Sequence, residues 1–151
     1  MNRDEMKLEM YKLVEGNVKE RIRWVKDARK AFKTVELIDK LPPCIFDYDC
    51  KFENIIEYGL VYKMPYNRNR IDEVKRQFIA CGFRIGWERK ENTITNTFDV
   101  PTCVFELVGN SELTVSIGFA DNLPGSTCTR KEIGKTMKEV PVFEWSCEGD
   151  R

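Results

Sequence analysis

The chain has 151 residues, with 25 Lys or Arg balanced by 25 Asp or Glu, no His, six Cys and 42% hydrophobic residues. Its length fits one folding unit of about 100–200 residues, and nine Phe, five Tyr and three Trp supply core material that disordered chains lack. Without His, the Ser-His-Asp and Cys-His triads, His-containing zinc sites and the H-E-x-x-H metalloprotease motif are excluded; enzymes that run on carboxylates, Lys, Tyr or Cys stay open, among them one using Asp47 and Asp49 with a metal, but no catalytic constellation is recognisable, so the chain is read as non-enzymatic and without a cofactor.

In residues 1–40, apolar groups at Tyr11, Val14, Val18, Val25, Ala28, Phe32 and Val35 follow a three-then-four spacing. That spacing predicts one long amphipathic helix over residues 4–39, weakened at Gly16 by about 1 kcal/mol and stopped by Leu41-Pro42-Pro43. At roughly 50 Å such a helix outreaches a compact domain of this size, so it offers a homodimer seam or a docking element beside a globular domain over residues 41–151. Residues 21–33 place six cations against one acid. Arg21, Arg23, Trp24, Lys26, Arg29 and Lys30 are therefore candidates for contact with a phosphate backbone; the competing reading is a solvated helix face whose Lys stems cover the core. No apolar run of signal-peptide or membrane-spanning length occurs, which predicts a cytoplasmic protein with no membrane attachment.

After the prolines, Asp47 and Asp49 form an Asp-x-Asp pair between Cys44 and Cys50. Two hard oxygens two residues apart can hold Mg²⁺ or Mn²⁺, but a turn with solvated acids explains them as well, so no metal is assigned. Residues 54–63 are rich in β-branched and aromatic side chains and predict a strand. A helix over residues 70–81, capped by Asn69 and ended by Gly82, precedes a half-buried strand in which Phe83, Ile85 and Trp87 alternate with polar residues. Period-two patterning continues over residues 93–98, 103–108, 113–119, 127–133 and 140–147, with a Gly109-Asn110-Ser111 turn. The fold class is α+β: a long N-terminal helix, then an antiparallel sheet of five or six strands with one inserted helix, in the order β-α-β-β-β-β-β.

Charge is unevenly spread. Residues 61–90 carry a net +5 and residues 91–151 a net −5, an asymmetry that either steers a partner or lets the two halves attract within one fold. The basic stretch interleaves cations with rings, a mixture suited to single-stranded DNA or RNA because rings stack on bases while guanidinium groups hold phosphate. Tyr62, Tyr66, Arg68 and Arg70 are its candidate contacts. A cytoplasmic chain of this length predicts reduced thiols, although pairing the last two strands about their loop sets Cys128 and Cys147 nearly opposite, as for a bridge or a shared soft metal.

Residues 127–147 begin with Cys128-Thr129-Arg130, turn at Gly134-Lys135-Thr136, continue through Pro141-Val142-Phe143-Glu144 and close at Cys147. This segment resembles the C-terminal segment of small, uncharacterised accessory proteins of tailed bacteriophages. The resemblance covers 21 of the 151 residues and implies a phage or mobile-element origin without transferring any catalytic residue. It implies a function of binding a host protein or nucleoprotein complex, for example a defence system, and inhibiting it; the alternative is direct binding of single-stranded DNA or RNA.

Overall fold

A computed structural model of the chain describes residues 2–15, 21–56, 58–90, 100–135 and 141–149, with all side chains in them except those of residues 13–15, 21–28, 30, 31, 134 and 135. Two helices, α1 (Arg3–Glu15) and α2 (Arg21–Lys40), stand where the spacing predicts one over residues 4–39. They fold back on each other. Arg3 donates to the carbonyl oxygens of Ile38 (2.7 Å) and Leu41 (3.3 Å), tying the start of α1 to the end of α2. Lys7 pairs with Asp39, and the rings of Tyr11 and Phe32 meet edge to face at 6.4 Å. Residues 16–20, which join the two in sequence and include Gly16, lie outside the described residues. A straight rod would leave its apolar stripe in water; folded back, it buries Met6 and Met10 in one core with Leu37 and Ile38. The length argument for a homodimer along residues 4–39 therefore no longer applies.

A short 3-10 turn, Pro43–Phe46, follows, with Cys44 and Ile45 buried. The single strand expected over residues 54–63 is a hairpin of β1 (Lys51–Ile56) and β2 (Gly59–Pro65). β-Forming residues run across the turn without a break in composition, and only Gly59 marks it. The helix expected over 70–81 is α3 (Arg68–Ala80), capped by Asn67 rather than Asn69: its side-chain oxygen accepts from the backbone N–H groups of Asn69 (3.0 Å) and Arg70 (3.3 Å). Gly82 follows its end with φ +90°, the left-handed geometry that favours glycine.

Three further strands, β3 (Phe83–Arg89), β4 (Thr102–Leu107) and β5 (Asn110–Ala120), complete a five-stranded sheet in the order β1-β2-β5-β4-β3. The expected wholly antiparallel sheet is mixed, because β2 and β5 run parallel, with Leu60 opposite Val115 and Tyr62 opposite Ile117. Its cause is topological. The chain leaves β2 through α3, starts β3 at the far edge and returns as the antiparallel meander β3-β4-β5, so β5 fills the gap beside β2 in the same direction. Residues 93–98, expected as a strand, lie outside the described residues. β6 (Cys128–Lys135) and β7 (Pro141–Cys147) form a separate two-stranded ribbon rather than part of the main sheet.

Alternation assigns the faces. Leu60, Tyr62 and Met64 of β2, Cys103, Phe105 and Leu107 of β4, and Leu113, Val115, Ile117 and Phe119 of β5 are all buried in one core with Val74 and Phe78 of α3 and the apolar residues of α1 and α2. On β3 the expected alternation fails: Ile85 and Trp87 are exposed, since β3 is an edge strand whose register shifts between them.

Candidate functional site

The sheet brings the carboxyl ends of β2, β3 and β5 to one side, together with the start of β4 and the amino end of α3. There they enclose a pocket of about 310 Å³. Tyr66 and Phe119, whose rings meet edge to face at 6.4 Å, supply apolar wall, while Arg68, Arg89 and Lys90 supply positive charge. Arg68 is exposed because the Asn67 cap starts α3 there, one residue beyond the cap. Glu88 is the carboxylate among the described lining residues, and it accepts a hydrogen bond from Lys75. Burial works against the Lys75 ammonium, but that hydrogen bond and the Glu88 charge outweigh it, and the Lys75 pKa is raised.

Cys103 closes one side of the pocket. Burial, reinforced by the neighbouring Glu88 charge, pushes its thiol up to about 11, which keeps it protonated and a poor nucleophile at neutral pH. Burial likewise pushes Cys44 and Cys50 up to about 12. All three thiols hold their protons in the folded chain at pH values where an unfolded thiol, near 9.0, has released its own. Stability contributed this way is complete below pH 9 and is lost as pH rises from there toward 12. Urea midpoints measured from pH 8 to pH 11 are expected to fall steadily above pH 9, and Cys103→Ser is expected to flatten that fall; a flat profile in the parent chain would contradict the burial of these thiols.

The sequence candidates scatter. Tyr62 is 2% exposed, and its hydroxyl donates to the Met6 sulfur at 3.4 Å. Tyr66 is 3% exposed and stacks on Trp145 at 4.7 Å. Both are core residues, which corrects their assignment as platforms for bases. Arg70 is also corrected: its Nη2 donates to Asp47 (2.6 Å) and Asp49 (3.1 Å), so the guanidinium is engaged by the Asp-x-Asp pair, while its buried Nε has no hydrogen-bond partner among the described residues. Burial opposes that charge, yet the two aspartates raise the Arg70 pKa. With Arg70 seated between them, Asp47 and Asp49 anchor the start of α3.

On α2, Arg29 is exposed, while the side chains of Arg21, Arg23, Trp24, Lys26 and Lys30 lie outside the described ones. Lys33, from the same basic run, holds α2 to the sheet through Glu112 (3.1 Å) and lies 4.8 Å from the centre of the Tyr58 ring. Of the candidates whose side chains are described, Arg68 is the charged one that lines the pocket. Arg89 and Lys90 belong to the same interleaved stretch, but Cys103 and Phe119 arrive from strands with no local signature of a site, and only strand register joins them.

Cys128 and Cys147 lie opposite each other at the base of the ribbon and are joined by a disulfide, which corrects the expectation of six reduced thiols at this pair. Cys44, Cys50, Cys81 and Cys103 are free. Among the described residues no helix is long and apolar enough to cross a membrane. Compared with known proteins, the chain matches no family model, no curated protein and no solved structure.

Proposed function

We propose that this chain is a small non-enzymatic interaction module of phage or mobile-element origin that binds and inhibits a host protein or nucleoprotein complex in the host cytoplasm. The observation that carries the proposal is a coincidence within residues 127–147. The segment that resembles phage accessory proteins is the one that folds as the β6–β7 ribbon, and its two strands pair with each other and, among the described residues, with no other strand. One face of the ribbon docks on the core through Cys128 and Trp145, with Arg130 reaching toward Asp121 at 3.8 Å. Its other face carries the exposed residues Thr129, Lys131, Glu144 and Ser146, and Ile133 stands 58% exposed at a shift in register. A ribbon of this kind offers main-chain donors and acceptors on its edges to an added strand, and side chains that choose the partner.

The test uses the tagged full chain to capture partners from a bacterial lysate, with and without nuclease, beside Ile133→Asp. A stoichiometric host protein is expected to survive digestion, and Ile133→Asp is expected to reduce its recovery at least about tenfold, as loss of an interface anchor would. Equal capture by Ile133→Asp would overturn the proposal. Recovery of nucleic acid alone, with proteins lost on digestion, would replace it with direct single-stranded DNA or RNA binding.

A further inference from the structure

We infer that the Cys128–Cys147 disulfide is a redox switch on the ribbon: a dithiol reductant opens it at the sulfur of Cys147, β7 then leaves the core, and the surface proposed to meet a host protein is withdrawn. The loss of the partner rests on that reading of the ribbon; the switch itself does not. It rests first on how unequally the two strands are held. β6 is tied to the rest of the fold by main-chain hydrogen bonds at its start: the N–H groups of Thr127 and Cys128 donate to the Tyr66 carbonyl oxygen at 2.9 and 3.2 Å, and that of Arg130 donates to the Asp121 carboxylate at 3.3 Å. β7 meets the core through the Trp145 ring, stacked on Tyr66 at 4.7 Å, and through Cys147, crosslinked to Cys128.

Docking of Trp145 is opposed by its own polar atom. The residue is 8% exposed, and its indole N–H is buried without a hydrogen-bond partner among the described residues, so leaving the core returns that donor to water. A two-stranded ribbon is marginal by itself, and the crosslink restricts the freedom that β7 would gain on release. The ribbon thus has two positions, docked and released, and the disulfide biases which one is filled. Access selects the sulfur that is attacked. Cys128 is fully buried, whereas Cys147 is half-buried at the end of β7. A thiolate of the reductant attacks the Cys147 sulfur, the S–S bond breaks, and Cys128 leaves as a thiolate that takes up a proton. The second thiol of the reductant then attacks the mixed disulfide and gives up its proton, releasing Cys147 as the thiol. Two electrons and two protons pass to the protein, and the dithiol becomes a cyclic disulfide.

The experiment treats the oxidised, folded full chain with dithiothreitol, alkylates the released thiols, locates them by mass spectrometry and follows tryptophan emission. Reduction without urea is expected, and glutathione, a monothiol that stops at the mixed disulfide, is expected on Cys147. Emission is expected to shift to the red as Trp145 meets water. Trp145→Phe should abolish that shift, and Cys128→Ala with Cys147→Ala should show it without reductant. Amide hydrogens of β4 and β5 that stay protected establish that the rest of the fold is intact. Because apparent affinity falls with the fraction of the competent form, capture of the host protein is expected to drop at least about tenfold on reduction and to return on reoxidation. The inference is overturned if the two cysteines cannot be oxidised to a disulfide in the folded chain, if reduction requires urea, or if glutathione marks Cys128. It is equally overturned if emission does not move on reduction, or if reduced and oxidised chains capture the host protein alike. A lysate that yields no partner overturns the reading of the ribbon and leaves trapping and emission to decide the switch, so the two failures are distinguishable.

Discussion

Phe78→Ala is expected to lower the free energy of unfolding by about 3–5 kcal/mol, the cost of truncating a fully buried Phe and leaving a cavity. Phe78 is fully buried and holds three elements together. Its ring stacks on Phe105 of β4, with centroids 4.1 Å apart and planes 5° from parallel, and meets Phe83 of β3 edge to face at 5.1 Å. Removing it takes α3 off the sheet at the point where the crossover is pinned, and the neighbouring rings cannot close the gap without leaving their own contacts. Phe32→Ala on α2 is the control. Phe32 is 59% exposed and its ring meets that of the half-exposed Tyr11 edge to face, so its truncation is expected to cost about 1 kcal/mol or less. Urea unfolding followed by fluorescence would show the Phe78→Ala midpoint falling several times further than that of Phe32→Ala at equal slope. Similar losses from both variants would mean that the core is not centred on this stack.

The second large effect belongs to the disulfide. Cys128 and Cys147 are 19 residues apart in sequence, and closing a loop of that length is worth about 3 kcal/mol in the chain-entropy account. A two-stranded ribbon is at best marginal by itself, so this bond and the stacking of Trp145 on Tyr66 decide whether residues 128–147 stay folded on the core. In the double variant Cys128→Ser with Cys147→Ser, amide hydrogens of β6 and β7 are expected to exchange about a hundredfold faster, while those of β4 and β5 keep their rates. Adding a reductant should bring the parent chain toward the variant and leave the variant unmoved. Unchanged ribbon exchange in the variant would show that docking, rather than the crosslink, holds it. In a reducing cytoplasm the same experiment describes a looser ribbon, which ties the redox state to the surface proposed to meet the host partner.

Local pattern carried much of the element list. The helix near 70–81 was legible because Ile71, Val74 and Phe78 repeat at helical spacing and Gly82 closes it; β4 and β5 were legible because buried and half-buried residues alternate through 103–107 and 113–119. The opposition of Cys128 and Cys147 followed from pairing two strands about their loop, and the register confirms it. The errors came where a pattern continues through a reversal of direction. The apolar spacing of α1 and α2 reads as one helix with no signal that the two pack against each other, and the β-rich run of residues 54–63 conceals the division between β1 and β2 in the same way. Tyr62, Tyr66 and Arg70 share their composition with a nucleic-acid surface, but composition does not reveal which ring is buried under α1 or which cation sits between Asp47 and Asp49.

From its residues alone, this chain is determined to be an α+β unit that holds no His-based catalytic or metal chemistry, with helix and strand periods fixed by which neighbours can share a face. Tertiary structure decided the rest: the helical hairpin, the parallel pairing of β2 with β5, the detached ribbon, and the meeting of Arg68, Arg89 and Phe119 around one pocket. The division has one physical cause. Periodicity and capping act over a turn of helix or a pair of strand residues, whereas the order of strands in a sheet and the contents of a pocket depend on contacts between residues tens of positions apart, where burial of the shared core selects among arrangements that are locally equivalent.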